Sequence, residues 1–405
     1  MSYKRRMKKL ARLSFVGMLL ASPSLPAVLQ TAAIAQSQPA VETPAAAPIA
    51  AVAWTRETAQ SLLEYVEGVD AEGLNPADYG RDRLRDAIAG RDEPGMASAA
   101  TDTFLRLAAD LSGGATPAAA RVDWHMTSTM LDAAAQRALM ARAVSGNRIA
   151  ESLNGLLPIH PQYAGLRRAL AITPESDAAT RDLIRTNMER WRWMPRTLGA
   201  RHVIVNVPAF TAAIVDNGSV TARHRAVVGA VRTPTPQLNA TIRAVTMNPW
   251  WNVPQSIIRE MGGRFGADYE VTRNGNQISA RQQPGPRNSL GRVKIEMPNE
   301  HAIYLHDTPS QSLFARPARA FSHGCIRTQN VRDFAARLLA PTGEWGRARI
   351  DQTINAGRTV SANLDRPVPV YIAYFTAAAT DEGQIVRYND VYGRDAPVKR
   401  AFHAS

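Results

Sequence analysis

The chain has 405 residues, 45% of them hydrophobic, and a formal charge of +13. Because this length exceeds what one hydrophobic core usually serves, we expect two folded units. A single cysteine, Cys325, excludes an internal disulfide and any zinc site built from several cysteines. After the N-terminal segment the sequence has no Lys/Arg block with interleaved aromatic residues, which disfavours nucleic acid as a partner.

The N-terminal segment predicts export to the periplasm. Residues 1–35 combine a basic start without acids, an apolar stretch and small residues near the end, which are the three parts of a signal peptide. Prolines interrupt the apolar stretch, so it falls short of the roughly 20 residues that a membrane anchor needs. We therefore expect no transmembrane segment after signal removal, which also takes away six basic residues and lowers the charge from +13 to +7.

Two further segments precede the second domain. Residues 36–52 are rich in Ala and Pro and predict a disordered linker. Residues 53–172 show apolar residues at helical spacing and predict an all-helical domain. This region contains no cluster of acids, bases or ligands, so a structural role is favoured for His125 and His160.

Residues 173–398 predict a mainly β domain. A helix is expected from Ser176 to Trp193, and after it short β-rich runs alternate with turn residues. The expected strands cover 202–207, 211–215, 227–231, 242–247, 293–297, 303–305 and 368–375, and a further helix is expected over 330–339. Residues from about 254 to 290 break this pattern with glycines and prolines, which predicts an irregular surface excursion, either a binding lid or a mere insertion.

Two short motifs carry the candidate chemistry. His306 ends a predicted strand, and Cys325 follows nineteen residues later at the end of a turn. A free thiol has a pKa of about 8.5, so it needs a base or a helix N-terminus to become a nucleophile at neutral pH. His306 can supply the base, and the helix expected behind Cys325 can supply the favourable dipole. The competing interpretation is that Cys325 is a small core residue.

Neighbouring residues have candidate supporting roles. The backbone N–H groups of Gly324 and Cys325 can bind an oxyanion, and Arg327 can either recognise a carboxylate or pin the loop. Tyr304 can help the oxyanion or substrate, or be an ordinary buried tyrosine. His323 can line the oxyanion region or brace the loop. Trp250, with Trp251, can shape a substrate cleft or belong to a core. The oxyanion and loop candidates are Gly324, His323, Ser322 and Tyr304.

The Tyr-Leu-His-Asp-Thr run at 304–308 and the Ser-His-Gly-Cys-Ile-Arg run at 322–327 resemble the active-site signature of the YkuD-type L,D-transpeptidases. Segments at 188–195, 248–254 and 284–291 resemble the large YcbB-like branch, and the likeness covers roughly residues 54–395. The resemblance implies an α+β protein, with a helical scaffold domain followed by a β-sandwich-like catalytic domain. It also identifies residues 254–290 as a short capping insertion. The peptidoglycan-binding helical module common in this branch is missing between the two domains.

The resemblance also implies a reaction. Cys325 would attack a tetrapeptide stem of peptidoglycan, D-alanine would leave, and the amine of an acceptor diaminopimelate would resolve the thioester. His306 would be the base, oriented by a backbone carbonyl such as that of Asp307 rather than by the Asp307 carboxylate. The implied partners are peptidoglycan stem peptides and other cell-wall enzymes, and no metal or organic cofactor is implied. Three alternatives remain: an L,D-carboxypeptidase that uses water, attachment of a protein to peptidoglycan, and a non-catalytic wall-binding protein.

Overall fold

The computed structural model describes residues 52–127, 129–380 and 382–403. The predicted signal peptide at 1–35 and all but the last residue of the predicted linker lie outside the described residues. Within the described ranges, no helix is long and apolar enough to cross a membrane.

The N-terminal region is helical, as predicted. Thr55 begins the first helix with a capping box, in which its side chain accepts the Thr58 N–H and its own N–H bonds to the Thr58 side chain. The apolar faces of the helices meet in one core that includes Leu62, Phe104 and Leu166. The helices are α1 (Arg56–Glu67), α2 (Arg81–Ala89), α3 (Glu93–Gly113), α4 (Ala133–Ser145), α5 (Ile149–Asn154), α6 (Pro161–Ile172) and α7 (Ala178–Trp193).

One feature departs from the all-helical prediction. Strand β1 (Trp124–His125) lies between α3 and α4 and pairs in parallel with a strand of the second domain. Two residues carry too little periodicity to signal a strand in a sequence, and this one exists only because a distant strand supplies its hydrogen bonds. His160, in contrast, has the structural role expected for it. Its Nδ1 accepts the Gln162 N–H at 3.1 Å at the start of α6, and its ring stacks on Trp191.

The C-terminal region is mainly β, as predicted. Its longer strands are β2 (Arg201–Asn206), β3 (Thr211–Asp216), β4 (Ser219–Gly229), β5 (Gln237–Met247), β7 (Tyr269–Asn274), β8 (Gln277–Gln282), β9 (Val293–Glu296) and β13 (Val360–Ala373). The short ones are β6 (Trp251–Asn252), β10 (Leu305–His306), β11 (Ala320–Ser322), β12 (Ile326–Thr328), β14 (Ala377–Ala379) and β15 (Ile385–Arg387). The helices are α8 (Gln255–Glu260), α9 (Val331–Leu339), α10 (Arg347–Asn355) and α11 (Asp395–His403).

The main sheet closes on itself, which refines the expected sandwich-like form. Its strand order runs β5-β13-β2-β3-β4-β12-β10-β9, and β9 also pairs with β5. The circuit encloses a core of Val, Ile and Leu side chains such as Val205, Ile295 and Ile326. Helix α9 packs its buried face, including Phe334 and Leu338, against this core. Strands β9, β10 and β12 carry the candidate site. Each of them therefore has a hydrogen-bonded neighbouring strand on both sides.

The predicted irregular excursion at 254–290 has a structure of its own, so that part of the prediction is wrong. Strands β6, β8 and β7 form a three-stranded antiparallel sheet, with α8 beside it. Trp251, Val253, Ile258, Ala280 and Leu290 form a small core under this sheet. Turn residues at 274–276 gave the hairpin its sequence signal, but its strands are polar and half-exposed, which hid them from a periodicity argument.

Helix α7 joins the two regions through buried charge. Glu189 accepts hydrogen bonds from the Thr116 N–H and hydroxyl at 2.8 Å each, and pairs with Arg192 at 2.9 Å. One residue after Glu189, on a neighbouring face of the helix, Arg190 pairs with Asp395 of α11 at 2.6 Å. Buried charges are tolerated only when paired and hydrogen-bonded, so these contacts fix α7 between the scaffold core and the C-terminal helix.

Candidate active site

The two motifs meet through parallel strand pairing. Strand β10 pairs with β12 so that Leu305 lies opposite Ile326 and His306 opposite Arg327. The Ile326 N–H donates to the Tyr304 carbonyl at 3.0 Å, which extends the alignment by one residue and sets Tyr304 beside Cys325. Because side chains alternate along strands, Tyr304 and His306 share one face with Cys325 and Arg327. Cys325 and His306 are thus diagonal neighbours.

A third strand adds charged groups to the same face. Strand β9 pairs antiparallel with β10, with Lys294 opposite His306. The Lys294 ammonium lies 2.7 Å from the Glu296 carboxylate and 4.8 Å from the centre of the Tyr304 ring. Glu296 in turn accepts a hydrogen bond from Thr246 on β5 at 2.8 Å. A cation is therefore held in place beside the candidate nucleophile and base.

Cys325 is a half-buried free thiol. Its Sγ lies 3.7 Å from the Ala302 carbonyl oxygen, to which the thiol donates. Burial raises the pKa of the thiol, while hydrogen bonds from the backbone and hydroxyl of Tyr304 and the charges of Lys294 and Arg327 lower it. The net effect is a raised pKa, so the resting residue is a thiol that needs a base.

His306 lies where it can act as that base, and it is buried in neutral form. It is 5% exposed, and burial together with the Arg327 charge lowers its pKa to about 3. Backbone groups of Asp307 and Leu290 only partly oppose this shift. Nδ1 of His306 is buried without a hydrogen-bond partner among the described residues. A neutral imidazole with one open ring nitrogen can accept a proton.

The Asp307 carboxylate is engaged elsewhere. Its Oδ2 accepts the Arg292 N–H at 2.8 Å, and its Oδ1 accepts from the Gln311 side chain at 3.2 Å. This geometry agrees with the expectation that a backbone carbonyl, rather than this carboxylate, orients His306.

The loop before Cys325 is fixed by its own hydrogen bonds. The Ser322 hydroxyl donates to the Cys325 carbonyl at 2.6 Å and accepts the Gly324 N–H at 3.2 Å. Thr235 donates to the Gly324 carbonyl at 2.7 Å. Gly324 has φ 111, and a Cβ there would lie 3.2 Å from the Ile303 side chain, which explains the glycine. The Ser322 hydroxyl thus occupies the Gly324 N–H in the ligand-free protein, and the role of this N–H as an oxyanion donor stays a prediction.

The expected helix dipole at Cys325 is also wrong. Strand β12 intervenes between Cys325 and α9, which begins at Val331. A dipole acts mainly within the first turn of a helix, and three strand residues at roughly 3.3 Å each carry Cys325 beyond that range. The charges of Lys294 and Arg327 take the place of the dipole.

The remaining candidates divide between the loop and the small sheet. His323 bonds to Glu260 of α8 at 2.7 Å, so it braces the loop against the capping segment. Trp250 stacks under the Arg281 guanidinium at 4.4 Å, and Trp251 is buried in the small core. Arg327 keeps a buried Nε without a hydrogen-bond partner among the described residues, and its two expected roles, carboxylate recognition and pinning of the loop, both stay predictions.

Sequence reasoning missed Lys294, Glu260 and Thr235. Lys294 lies in the predicted strand that precedes the strand ending at His306. It can be found from the sequence once these two strands are assumed to pair. The other two reach the loop from distant segments, and local sequence carries no signal for them. Among the residues that the structure describes, no group of three or more His, Cys, Asp or Glu side chains can hold a metal ion.

Family models match both regions of the chain. A scaffold domain model matches residues 50–170, and an L,D-transpeptidase catalytic domain model, YkuD, matches residues 200–372. A Haemophilus influenzae protein described as a candidate L,D-transpeptidase is 28% identical over 287 residues, which cover 64% of this chain and 58% of that protein. The match therefore spans little more than half of the relative.

Solved structures give a more distant likeness. An L,D-transpeptidase from Mycobacterium smegmatis is 14% identical with a TM-score of 0.23, over 43% of this chain and 58% of that one. L,D-transpeptidase 3 from Mycobacterium tuberculosis, in complex with a faropenem-derived adduct, is 14% identical with a TM-score of 0.24, over 43% and 60%. The family models and the curated relative are the stronger findings, and by them the chain consists of a scaffold domain followed by a YkuD L,D-transpeptidase catalytic domain, the YcbB-like architecture.

Proposed function

We propose that this protein is a periplasmic cysteine L,D-transpeptidase that cross-links peptidoglycan stem peptides. The observation that carries the proposal is the shared strand face on which Cys325 and His306 are diagonal neighbours, with Tyr304, Arg327 and Lys294 around them. The lone cysteine of the chain lies at this point, half-buried at the edge of the main-sheet core.

In the first half of the reaction, the thiol of Cys325 gives its proton to His306, and Sγ attacks the carbonyl carbon of the third stem residue. The C–N bond to D-alanine breaks, and the proton held by His306 leaves with the D-alanine amine. The Cys325 N–H, which has no partner among the described residues, and the Tyr304 hydroxyl face the developing oxyanion. The Arg327 guanidinium recognises a donor carboxylate.

In the second half, the side-chain amine of an acceptor diaminopimelate attacks the thioester. A C–N bond forms, the C–S bond breaks with its electron pair on sulfur, and the proton lost by the amine passes through His306 to the thiolate. The reaction needs no cofactor, because the nucleophile and base are both side chains.

Muropeptide product analysis tests this proposal. Purified mature protein and a Cys325→Ser variant are each incubated with tetrapeptide-containing muropeptides. The products are then separated and identified by mass spectrometry. We expect dimers linked between third-position residues and released D-alanine from the wild-type protein only. Shortened monomers without dimers would instead identify an L,D-carboxypeptidase. Unchanged substrate, with binding to sacculi intact, would identify a wall-binding protein.

A further inference from the structure

A cavity of about 430 Å³ lies next to the nucleophile loop, between the scaffold region and the catalytic domain. Its lining includes Asp123, Val231, Pro234, His301, His323 and Gly324. Ala302, whose carbonyl contacts the Cys325 thiol at 3.7 Å, lies between two lining residues, His301 and Ile303. The thiol is therefore at the rim of this cavity.

The cavity is lined by the nucleophile loop and not by the core under the small sheet. Tyr304 and Trp251 belong to the packing under that sheet, and neither residue lines the cavity. The cavity therefore reaches the nucleophile loop past residues other than those packed under the small sheet. A transpeptidase needs such separate room, because the donor occupies its part of the site as a thioester when the acceptor arrives.

The polar groups in the cavity form a prepared pair of opposite charges. Asp123 has φ 54, an unusual backbone conformation for a residue other than glycine, and its carbonyl accepts the Gln237 N–H at 2.9 Å. Its carboxylate accepts from Arg394 at 2.6 Å and contacts His125 Nε2 at 2.9 Å. Arg394 is only 4% exposed, whereas the Asp123 side chain is 29% exposed.

This pairing matches one kind of ligand. The end of a diaminopimelate side chain carries an ammonium beside a carboxylate. The Asp123 carboxylate and the Arg394 guanidinium lie side by side in the same way and present the complementary charges, negative for the ammonium and positive for the carboxylate. The His125 ring contacts Asp123 and lies 4.1 Å from the His301 ring, so the two rings extend the polar surface beside this pair.

We propose that this cavity is the acceptor subsite, in which Asp123 and Arg394 bind the zwitterionic end of the acceptor diaminopimelate. The inference rests on the proposed transpeptidase function and adds to it a role for the scaffold region. Strand β1 carries His125 and follows Asp123 directly, so its pairing with β5 places both residues against the catalytic domain.

A blocking variant tests the cavity without disturbing the charged pair. Val231 lines the mouth and is 68% exposed, so Val231→Trp fills space at the surface. Val220→Trp is the matched control, because Val220 is 49% exposed on β4 and does not line the cavity. We expect Val231→Trp to be acylated by a carbapenem at the wild-type rate but to form dimers about tenfold more slowly. Dimer formation equal to that of Val220→Trp would overturn the proposal.

A second pair of variants tests the recognised charge. Asp123→Asn keeps the shape and a hydrogen-bond acceptor, and Asp365→Asn changes an exposed carboxylate elsewhere. We expect Asp123→Asn to raise the acceptor KM about tenfold with unchanged acylation, because a hydrogen bond to a charged group is lost. An acceptor peptide with lysine in place of diaminopimelate should show the same loss with wild-type protein. Equal use of both acceptors would contradict recognition of the zwitterion.

These measurements separate the two proposals. A wild-type protein that is never acylated contradicts the transpeptidase function itself. A wild-type protein that cross-links, together with fully active Val231→Trp and Asp123→Asn variants, contradicts only the acceptor subsite.

Discussion

At the scale of single residues, burial and charge act in opposite directions on the candidate nucleophile. Burial raises the thiol pKa of Cys325 and lowers the imidazole pKa of His306, so both resting groups are neutral. Such a pair exchanges its proton only when substrate arrives, in contrast to a preformed thiolate–imidazolium pair. The distinction has a direct signature in the pH dependence of thiol reactivity.

Because its pKa is raised, alkylation of Cys325 by iodoacetamide should rise at a higher pH than that of a free thiol, without a plateau at lower pH. Lys294→Met should shift this rise to higher pH, because the ammonium that favours the thiolate is gone. Lys399→Met on α11 is the matched control. The pH profiles are measured by quenching the alkylation at set times and detecting the modified protein by mass spectrometry. A plateau between about pH 5 and 8, or identical profiles for Lys294→Met and Lys399→Met, would refute the electrostatic account.

The sequence identified the residues that have chemical character but not their partners. His306 and Cys325 could be assigned because a strand ending in His and a turn ending in Cys place reactive groups at element ends. The occupied Gly324 N–H could not be foreseen, because it depends on the rotamer of the Ser322 hydroxyl. Lys294 was hidden because its relation to His306 is a matter of strand register.

At the scale of elements, the small sheet and the nucleophile loop are joined by one exposed contact. Glu260, on α8, binds His323 at 2.7 Å and lies 3.6 Å from Arg232. Exposed ion pairs contribute little to the free energy of unfolding, so this contact orders the loop more than it stabilises the fold.

Glu260→Gln should accordingly slow acylation by a carbapenem severalfold and leave the Tm within about 1 °C of the wild-type value. Glu344→Gln, which alters another exposed ion pair, is the control. Acylation kinetics measure the first effect, and a thermal melt measures the second. If Glu260→Gln reacts at the wild-type rate, His323 is not a brace of the loop.

Elements with a strong periodicity of hydrophobic residues were predictable from the sequence. Elements that depend on pairing with distant strands were not. Helix α7 and strand β2 were expected close to their observed bounds, whereas β5 (Gln237–Met247) begins well before its expected start at 242. Strand β1 and the hairpin of β7 and β8 were missed, because two residues, or two polar strands, satisfy no hydrophobic pattern. Closure of the main sheet through β9 and β5 depends on a partner about fifty residues away, which composition does not reveal.

At the scale of the whole molecule, buried charge in α7 joins the scaffold to the catalytic region. Glu189→Ala would leave Arg192 buried without its carboxylate partner and remove the acceptor of the Thr116 and Trp193 hydrogen bonds. We expect a loss of about 3–5 kcal/mol in the free energy of unfolding. Urea unfolding of Glu189→Ala beside Glu57→Ala, an exposed carboxylate in α1, measures it. Equal midpoints would show that the network is dispensable.

Buried neutral histidines make stability depend on pH. Burial lowers the pKa of His160 to about 4 and that of His306 to about 3, whereas an unfolded chain takes up these protons near pH 6.5. Between these values the unfolded state binds more protons, so stability is full above about pH 6.5 and falls as the pH is lowered toward 4. His160→Asn, which retains a helix cap, should flatten the dependence of Tm on pH in that window. An unchanged slope would contradict the buried neutral state of His160.

The central claim is that Cys325, activated by His306, forms an acyl-enzyme, and intact-protein mass spectrometry after incubation with a carbapenem tests it most directly. We predict one stoichiometric adduct on the wild-type protein, none on Cys325→Ser, and slow formation on His306→Ala. A folded, reduced wild-type protein that shows no adduct, or a Cys325→Ser variant that still shows one, would contradict the account.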